Sequence, residues 1–204
     1  MSARHDCPEV RIDRRRCRGA SLMEVLVSVF VLSIGVLGVA GLQITAKRAN
    51  FEATQRATAA ALAQDIIERM RSNPEELSTY TDAGLGRIID GAVMGLVDCS
   101  ADCAPASLAE YDLYELEQAA NGVAEQVGGN GVGGLTLPTT CIDGPDGGSG
   151  VYTVAIAWRG MTKLSDPTTD DCGAGSGKYD TLGGAEVDVY RRVLTMPVFI
   201  AEPS

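Results

Sequence analysis

The chain has 204 residues, room for one ordinary domain and an added element but hardly for two full domains. Hydrophobic residues make up 45% and charged residues 22%, as in a folded protein, while aromatics are only 5% and Gly reaches 24 residues. A modest core with long turn-rich loops is therefore expected. The formal charge of −10 is unevenly placed: residues 1–19 hold six Arg against Asp6, Glu9 and Asp13, a net +3 that leaves −13 for the remainder. A body this acidic is a poor partner for nucleic acid, whose affinity comes from Lys and Arg neutralising phosphate, and no nucleic-acid-binding motif is evident.

After the basic leader, Val25 to Leu42 is an apolar run relieved only by Ser28, Ser33 and a few small residues, and Ala20 to Leu42 contains a single charge, Glu24. A bilayer span takes about 17–25 apolar residues, whereas a secretory h-region takes about 7–15 and ends in a small-residue cleavage site. One membrane helix is the better reading, with a buried core helix as the alternative. Arg14, Arg15, Arg16 and Arg18 precede the run and only Lys47 and Arg48 follow closely. The positive-inside rule then places the N-terminus in the cytoplasm and the C-terminal body across the membrane. A lipoprotein reading around Cys17 lacks the required apolar segment before the cysteine.

The helical signal continues past the membrane. Residues 44–71 contain neither Pro nor Gly. Phe51, Ala57, Ala61, Leu62, Ile66 and Met70 form the expected apolar stripe, with Gln55, Arg56, Gln64, Asp65, Glu68 and Arg69 on the polar side. "SNPEE" (72–76) is the stop, because the residue before Pro74 is pushed out of helical geometry. One helix over 21–71 is predicted, about 75 Å long at about 1.5 Å per residue.

Residues 75–150 read as short helices, turns and Gly-rich loops. Ser107 and Glu110 have capping-box spacing, opening a helix to about Ala120. "VYTVAIAW" (151–158) alternates as a strand, 135–137 is a candidate short strand, and "EVDVYRRVLTMPVFI" (186–200) is a β-rich segment in which Pro197 marks an edge or bulge. A long helix followed by a late antiparallel sheet is an α+β arrangement, with the amphipathic half of the helix packed on the sheet. The organisation expected is a cytoplasmic leader (1–19), a membrane half of the helix (20–43), an amphipathic half (44–72) and a globular head (73–204).

Cys99, Cys103, Cys141 and Cys172 fall in the exported body, where an oxidising compartment favours disulfides. Four cysteines allow three pairings, and Cys99–Cys103 with Cys141–Cys172 is the simplest. The rival, a metal site, lacks both a CxxC and a nearby His, the one His being His5 in the leader. Asp143, Asp146, Asp166, Asp170, Asp171 and Asp180 sit in Gly-rich loops but lack EF-hand spacing, so solvated turns are preferred to calcium. With no nucleophile elbow and no phosphate-cradling glycine motif, neither an enzyme nor a cofactor is expected.

A basic leader, Gly19, then Ala20-Ser21-Leu22-Met23-Glu24 at the head of an apolar run resembles the type IV prepilin signature. "EVLVSVFVLSIGVLGVAGLQ" (24–43), "CSADCAPASLAEYDLYELEQ" (99–118) and "YTVAIAWRG" (152–160) resemble the PilV subgroup of minor pilins. The resemblance implies cleavage by a prepilin peptidase between Gly19 and Ala20 and N-methylation of Ala20. It also implies assembly with other minor pilins and the major pilin through an inner-membrane platform, to prime the fibre or form its tip in motility, adhesion or DNA uptake. Ala20 departs from the usual larger first residue, and the Pro common in the membrane helix of major pilins is absent. Gly35, Gly38 and Gly41 stand there instead, as a helix-packing face, a point of partial unwinding, or the small residues usual in membrane helices. In this reading Glu24 pairs with the α-amino group that cleavage creates on a neighbouring Ala20, since an unpaired charge in an apolar fibre is costly; the other reading has Glu24 snorkelling to the headgroups. The I-type pseudopilins of type II secretion share the N-terminal run and are the alternative class. A membrane-anchored periplasmic binding domain is a third.

Overall fold

The computed structural model describes residues 21–83, 86–90, 99, 103–123, 126–128, 130–131, 133–167 and 169–201. The expected leader and the expected cleavage pair, Gly19 and Ala20, lie outside the described residues. The chain divides into two compact units, Met1–Ala46 and Lys47–Ser204.

Helix α1 is unbroken from Leu22 to Ser72, 51 residues. In the first unit none of its residues is buried, and its apolar stretch is long enough to cross a membrane. Helix stability there does not come from packing within the chain. Beyond Lys47 the sequence becomes amphipathic and packing takes over.

The buried face of the second half is Gln55, Ala59, Ala63, Ile66, Ile67 and Met70. This corrects the predicted stripe in register: Ile66 and Met70 belong to it, while Phe51, Ala57 and Ala61 are exposed. Alanine is abundant along this helix, so composition alone does not choose between two adjacent faces. The choice is made by Gln55, assigned to the polar side by residue type but only 5% exposed. Its amide donates to Gly134 O (3.0 Å) and its carbonyl accepts from Thr136 N (2.9 Å), so both halves of the buried amide are satisfied.

Pro74 ends α1 as predicted. A 3-10 turn, Pro74–Glu76, leads into the single-turn helix α2, Leu77–Tyr80. Strand β1 is Arg87–Ile89 and helix α3 is Pro105–Ala120. Helix α3 starts two residues before the expected capping box: Ala104 is the cap residue, makes no side-chain cap bond, and is followed by Pro105. Proline at the first helical position supplies a helical φ and lacks an N–H that would be unsatisfied there. Ser107 is therefore inside the helix. A two-residue hairpin, β2 (Gln126–Val127) with β3 (Asn130–Gly131), stands apart from the main sheet.

The main sheet has the order β1-β4-β5-β6, all antiparallel, with β4 at Thr139–Asp143, β5 at Gly150–Arg159 and β6 at Arg191–Ile200. The predicted alternation of 151–158 places Tyr152, Val154, Ile156 and Trp158 on one face. There they join Ile142, the α1 residues Ile66, Ile67 and Met70, and Leu113 and Leu116 of α3. Each large apolar side chain buried there contributes about 1.5–3 kcal/mol. Residues 135–137 are not a strand; β4 begins at Thr139 instead. The last strand begins at Arg191 and not at Glu186, because 186–190 are bends and turns, with Asp188 at φ +53°.

The opposite face is buried as well. Cys141, Ala155, Ala157, Cys172 and Tyr179 form a second small cluster under the long segment 160–190, which contains no helix or strand among its described residues.

Candidate functional site

Two parts of the chain carry chemistry beyond packing: the start of α1, and the polar anchors that fix the head. The α1 backbone begins its helical bonds at Ser21, whose carbonyl accepts from Glu24 N (3.0 Å) and Val25 N (3.2 Å). Glu24 thus sits in the first turn, where unpaired N–H groups and the helix dipole favour a carboxylate. Among the described residues no cation pairs with it. Ser28 Oγ donates back to Glu24 O (2.7 Å) and Ser33 Oγ to Val29 O (2.7 Å). These hydroxyls are satisfied within the helix and carry no polar cost into an apolar surrounding.

Glu24, Ser28, Gly35 and Gly38 follow one face of the helix, because 11 residues are close to three turns. Gly41 has rotated roughly 100° from Glu24 at the same pitch. A Cβ added at any of the three glycines meets nothing within 4 Å. The face is open in the single chain, and the glycines are not required by contacts inside it.

In the head, Arg69 near the end of α1 joins α1 to α3, and Tyr80 of α2 meets them at Asp112. Arg69 Nε donates to Asp65 (2.9 Å), and its Nη1 donates to Asp112 (2.8 Å) and Glu115 (2.6 Å) of α3. Tyr80 Oη donates to the other oxygen of Asp112 (2.5 Å). Burial works against the Arg69 charge, but the bonds to Asp112 and Glu115 outweigh it and raise its pKa. Burial first, then the Asp112 carboxylate, pushes the Tyr80 phenol well above its ordinary value, so it stays a donor.

On the far face, Arg191 is 1% exposed, and each of its three guanidinium nitrogens donates a hydrogen bond. Its Nε donates to Asp166 (2.7 Å), its Nη1 to Asp170 O (2.8 Å) and Cys172 O (2.9 Å), and its Nη2 to Pro167 O (2.5 Å). Arg159 does the same for the later part of the loop, donating to Lys178 O (2.5 Å) and Asp180 O (2.9 Å), with its guanidinium 4.4 Å from the centre of the Tyr190 ring. Tyr179 Oη lies within hydrogen-bonding distance of Leu137 O (3.1 Å) and Thr139 Oγ1 (3.0 Å). Lys178 pairs with Asp90 and donates to Pro138 O (3.1 Å); burial lowers its pKa. None of these anchors was visible in the sequence, where Arg159, Arg191 and Tyr179 have no distinguishing spacing.

Both expected disulfides are present. Cys99–Cys103 closes a local loop, and Cys141–Cys172 spans 31 residues to bind the loop to β4. Asp143, Asp170 and Asp171 line a cavity of about 520 Å³ beside the second disulfide. Among the described residues no group of three or more His, Cys, Asp or Glu is placed to hold a metal.

Comparison with known proteins adds two matches. Residues 14–40 match the prokaryotic N-terminal methylation motif, and residues 41–114 match the family described as Type IV pilin Tt1218. The matches abut, and together they run from the leader arginines through α1 and into α3. No curated protein and no solved structure matches the chain.

Proposed function

We propose that this type IV pilin is a minor pilin, made as a precursor and built into the fibre after a prepilin peptidase cuts between Gly19 and Ala20. The observation that carries the reading is the junction of the two matches at residues 40 and 41, within one unbroken helix. The leader arginines hold the N-terminus in the cytoplasm, and the apolar half of α1 anchors the precursor in the inner membrane with the head in the periplasm. Cleavage frees the α-amino group of Ala20, the site of methylation. Assembly then sets that amine against the Glu24 carboxylate of a neighbouring subunit, removing two lone charges from an apolar surrounding. The pair acts on register more than on stability, and the subunit primes assembly or joins the tip with other minor pilins and the major pilin. The head is a structural element, and the disulfides suit its export.

The test is the mass and first residue of the protein recovered from sheared pili. Ala20, free or methylated, is expected at the start, and Glu24→Ala is expected to leave membrane insertion intact while removing the subunit from pili. A chain retaining the leader, or a Glu24→Ala protein found in pili at the normal level, overturns the reading.

A further inference from the structure

Strand β6 is ten residues long and forms an edge of the sheet. Such an edge is usually short, charged or covered, because its outward N–H and C=O groups template another strand. Its pairing shows which groups face out. Gly160 N donates to Tyr190 O (2.8 Å) and Arg191 pairs opposite Arg159. In an antiparallel ladder bonded and non-bonded pairs alternate, so Arg192, Leu194, Met196, Val198 and Ile200 bond to β5. Val193, Thr195, Pro197 and Phe199 point their backbone groups away from the sheet. Arg191, the first outward position, is already used: its N–H donates to Asp188 O and its carbonyl accepts from the Arg192 side chain. The remaining outward groups have no partner among the described residues.

Side chains beside this edge are arranged to receive a strand. On the helix side, Met196, Pro197 and Val198 join Ile67, Gln64, Glu68 and Arg71 around a groove of about 390 Å³. On the other side Phe199 is 62% exposed next to its cross-strand neighbour Val151 at 59%. Strand addition draws affinity from main-chain bonds and specificity from pockets for alternate side chains, and both are present here.

Two observations decide what kind of strand fits. Pro197 occupies an outward position and has no N–H to give. Because Arg191 is already used, a second copy paired about a two-fold axis meets this gap twice in any register that engages more than two outward hydrogen-bonded pairs, whereas an unlike strand meets it once. Residues 47–204 also carry 23 Asp and Glu against 11 Lys and Arg, so two heads repel. We infer that the outer edge of β6, centred on Val193 and Thr195, accepts an extended strand from a neighbouring, non-identical pilin subunit that is less acidic than this chain. The inference rests on the assembly role proposed above.

Hydrogen exchange on the full processed chain in detergent, alone and in the complex with its fibre subunits, is the direct test. The amides of Val193, Thr195 and Phe199 are expected to exchange freely in the isolated protein and about tenfold or more slowly in the complex, as newly bonded amides do. Unchanged exchange at all three in a complex that does form overturns the inference and leaves the assembly role standing; failure to form any complex counts against that role instead. Thr195→Pro removes an N–H that β5 does not use, so the head should melt within a few degrees of the parent while the complex is recovered in much lower yield. Normal yield from a folded Thr195→Pro protein, or protection that appears in the protein alone at high concentration and so marks a second copy, equally overturns the inference.

Discussion

On one face of the sheet, Tyr152, Val154, Ile156 and Trp158 meet α1 and α3 through apolar side chains. On the other, Cys141, Ala155 and Ala157 meet the segment 160–190, which brings only Cys172 and Tyr179 to the buried cluster. A helix satisfies its own backbone and can present an apolar face. An irregular segment must find partners for its carbonyls before it can lie against a sheet. The chain provides them by turning guanidinium groups into the loop: Arg191 takes carbonyls from Pro167, Asp170 and Cys172, and Arg159 takes those of Lys178 and Asp180. One face is therefore held mainly by buried area, with Arg69 joining α1 to α3, and the other by a few polar anchors and a disulfide.

The sharpest way to break that contrast is to remove Arg191. Arg191→Ala takes the donor from the carbonyls of Pro167, Asp170 and Cys172 and the cation from Asp166, which is itself exposed; at about 1–3 kcal/mol for each buried acceptor left unsatisfied, a loss of about 3–5 kcal/mol is expected. Arg191→Met restores most of the stem's volume but none of the bonds. If thermal or denaturant melting of the head shows Arg191→Met at parent stability, packing holds this face and the polar account is wrong. A smaller effect is expected from Cys141→Ser with Cys172→Ser. The bridge spans 31 residues, and losing such a cross-link costs about 2–4 kcal/mol. Because Arg191, Tyr179 and Lys178 still hold the loop, the lower half of that range is expected. Limited proteolysis should show faster cutting within 160–190 while α1 and α3 keep their protection. Loss of protection throughout the head would mean that the disulfide, and not the polar set, is the main fastening.

The same contrast explains how far the sequence could be read. Elements on the apolar face were legible, since the 3.6-residue and two-residue periods report burial: α1 to within a residue, the strand at 150–159, and the end of α3 at Ala120. Pro197 was expected at an edge or bulge and lies in an edge strand. What failed were positions set by a distant partner. Gln55 is buried by Gly134 and Thr136, about 80 residues later, which turns the apolar stripe away from Phe51, Ala57 and Ala61. Strands β1 and β4 are three and five residues long, too short for periodicity to stand out, and β4 is buried on both faces, so Thr139 to Ile142 shows no alternation. The loop cover was invisible because an Arg that binds carbonyls looks in sequence like any surface Arg. The cysteines gave the one hint of it, since Cys141–Cys172 was the simplest long-range pairing.

The smallest expected effect concerns charge on the loop side. Asp143 ends β4, and its carboxylate lies where a side chain at residue 86 would have to go: a Cβ on Gly86 would meet Asp143 Oδ1 at 2.5 Å. Burial first, and then the nearby negative charge of Asp170, raise the Asp143 pKa above its ordinary value. The fold therefore prefers the protonated acid. Its contribution is fully present below the unfolded-chain value of about 3.9 and is lost as pH rises through the higher folded-state value. Above that point the ionised group works against the fold. Asp143→Asn keeps the shape without the charge, so at pH 7 it should melt slightly higher than the parent, by about 0.2–1 kcal/mol once solvent screening is allowed for. At about pH 3, where the parent acid is protonated, the two proteins should melt alike. An equal gain at both values would place the effect in packing against Gly86, and no gain at either would mean that neither burial nor Asp170 is felt by this carboxylate. Only a gain confined to the higher pH fits a loop side whose closure depends on the charge of Asp143.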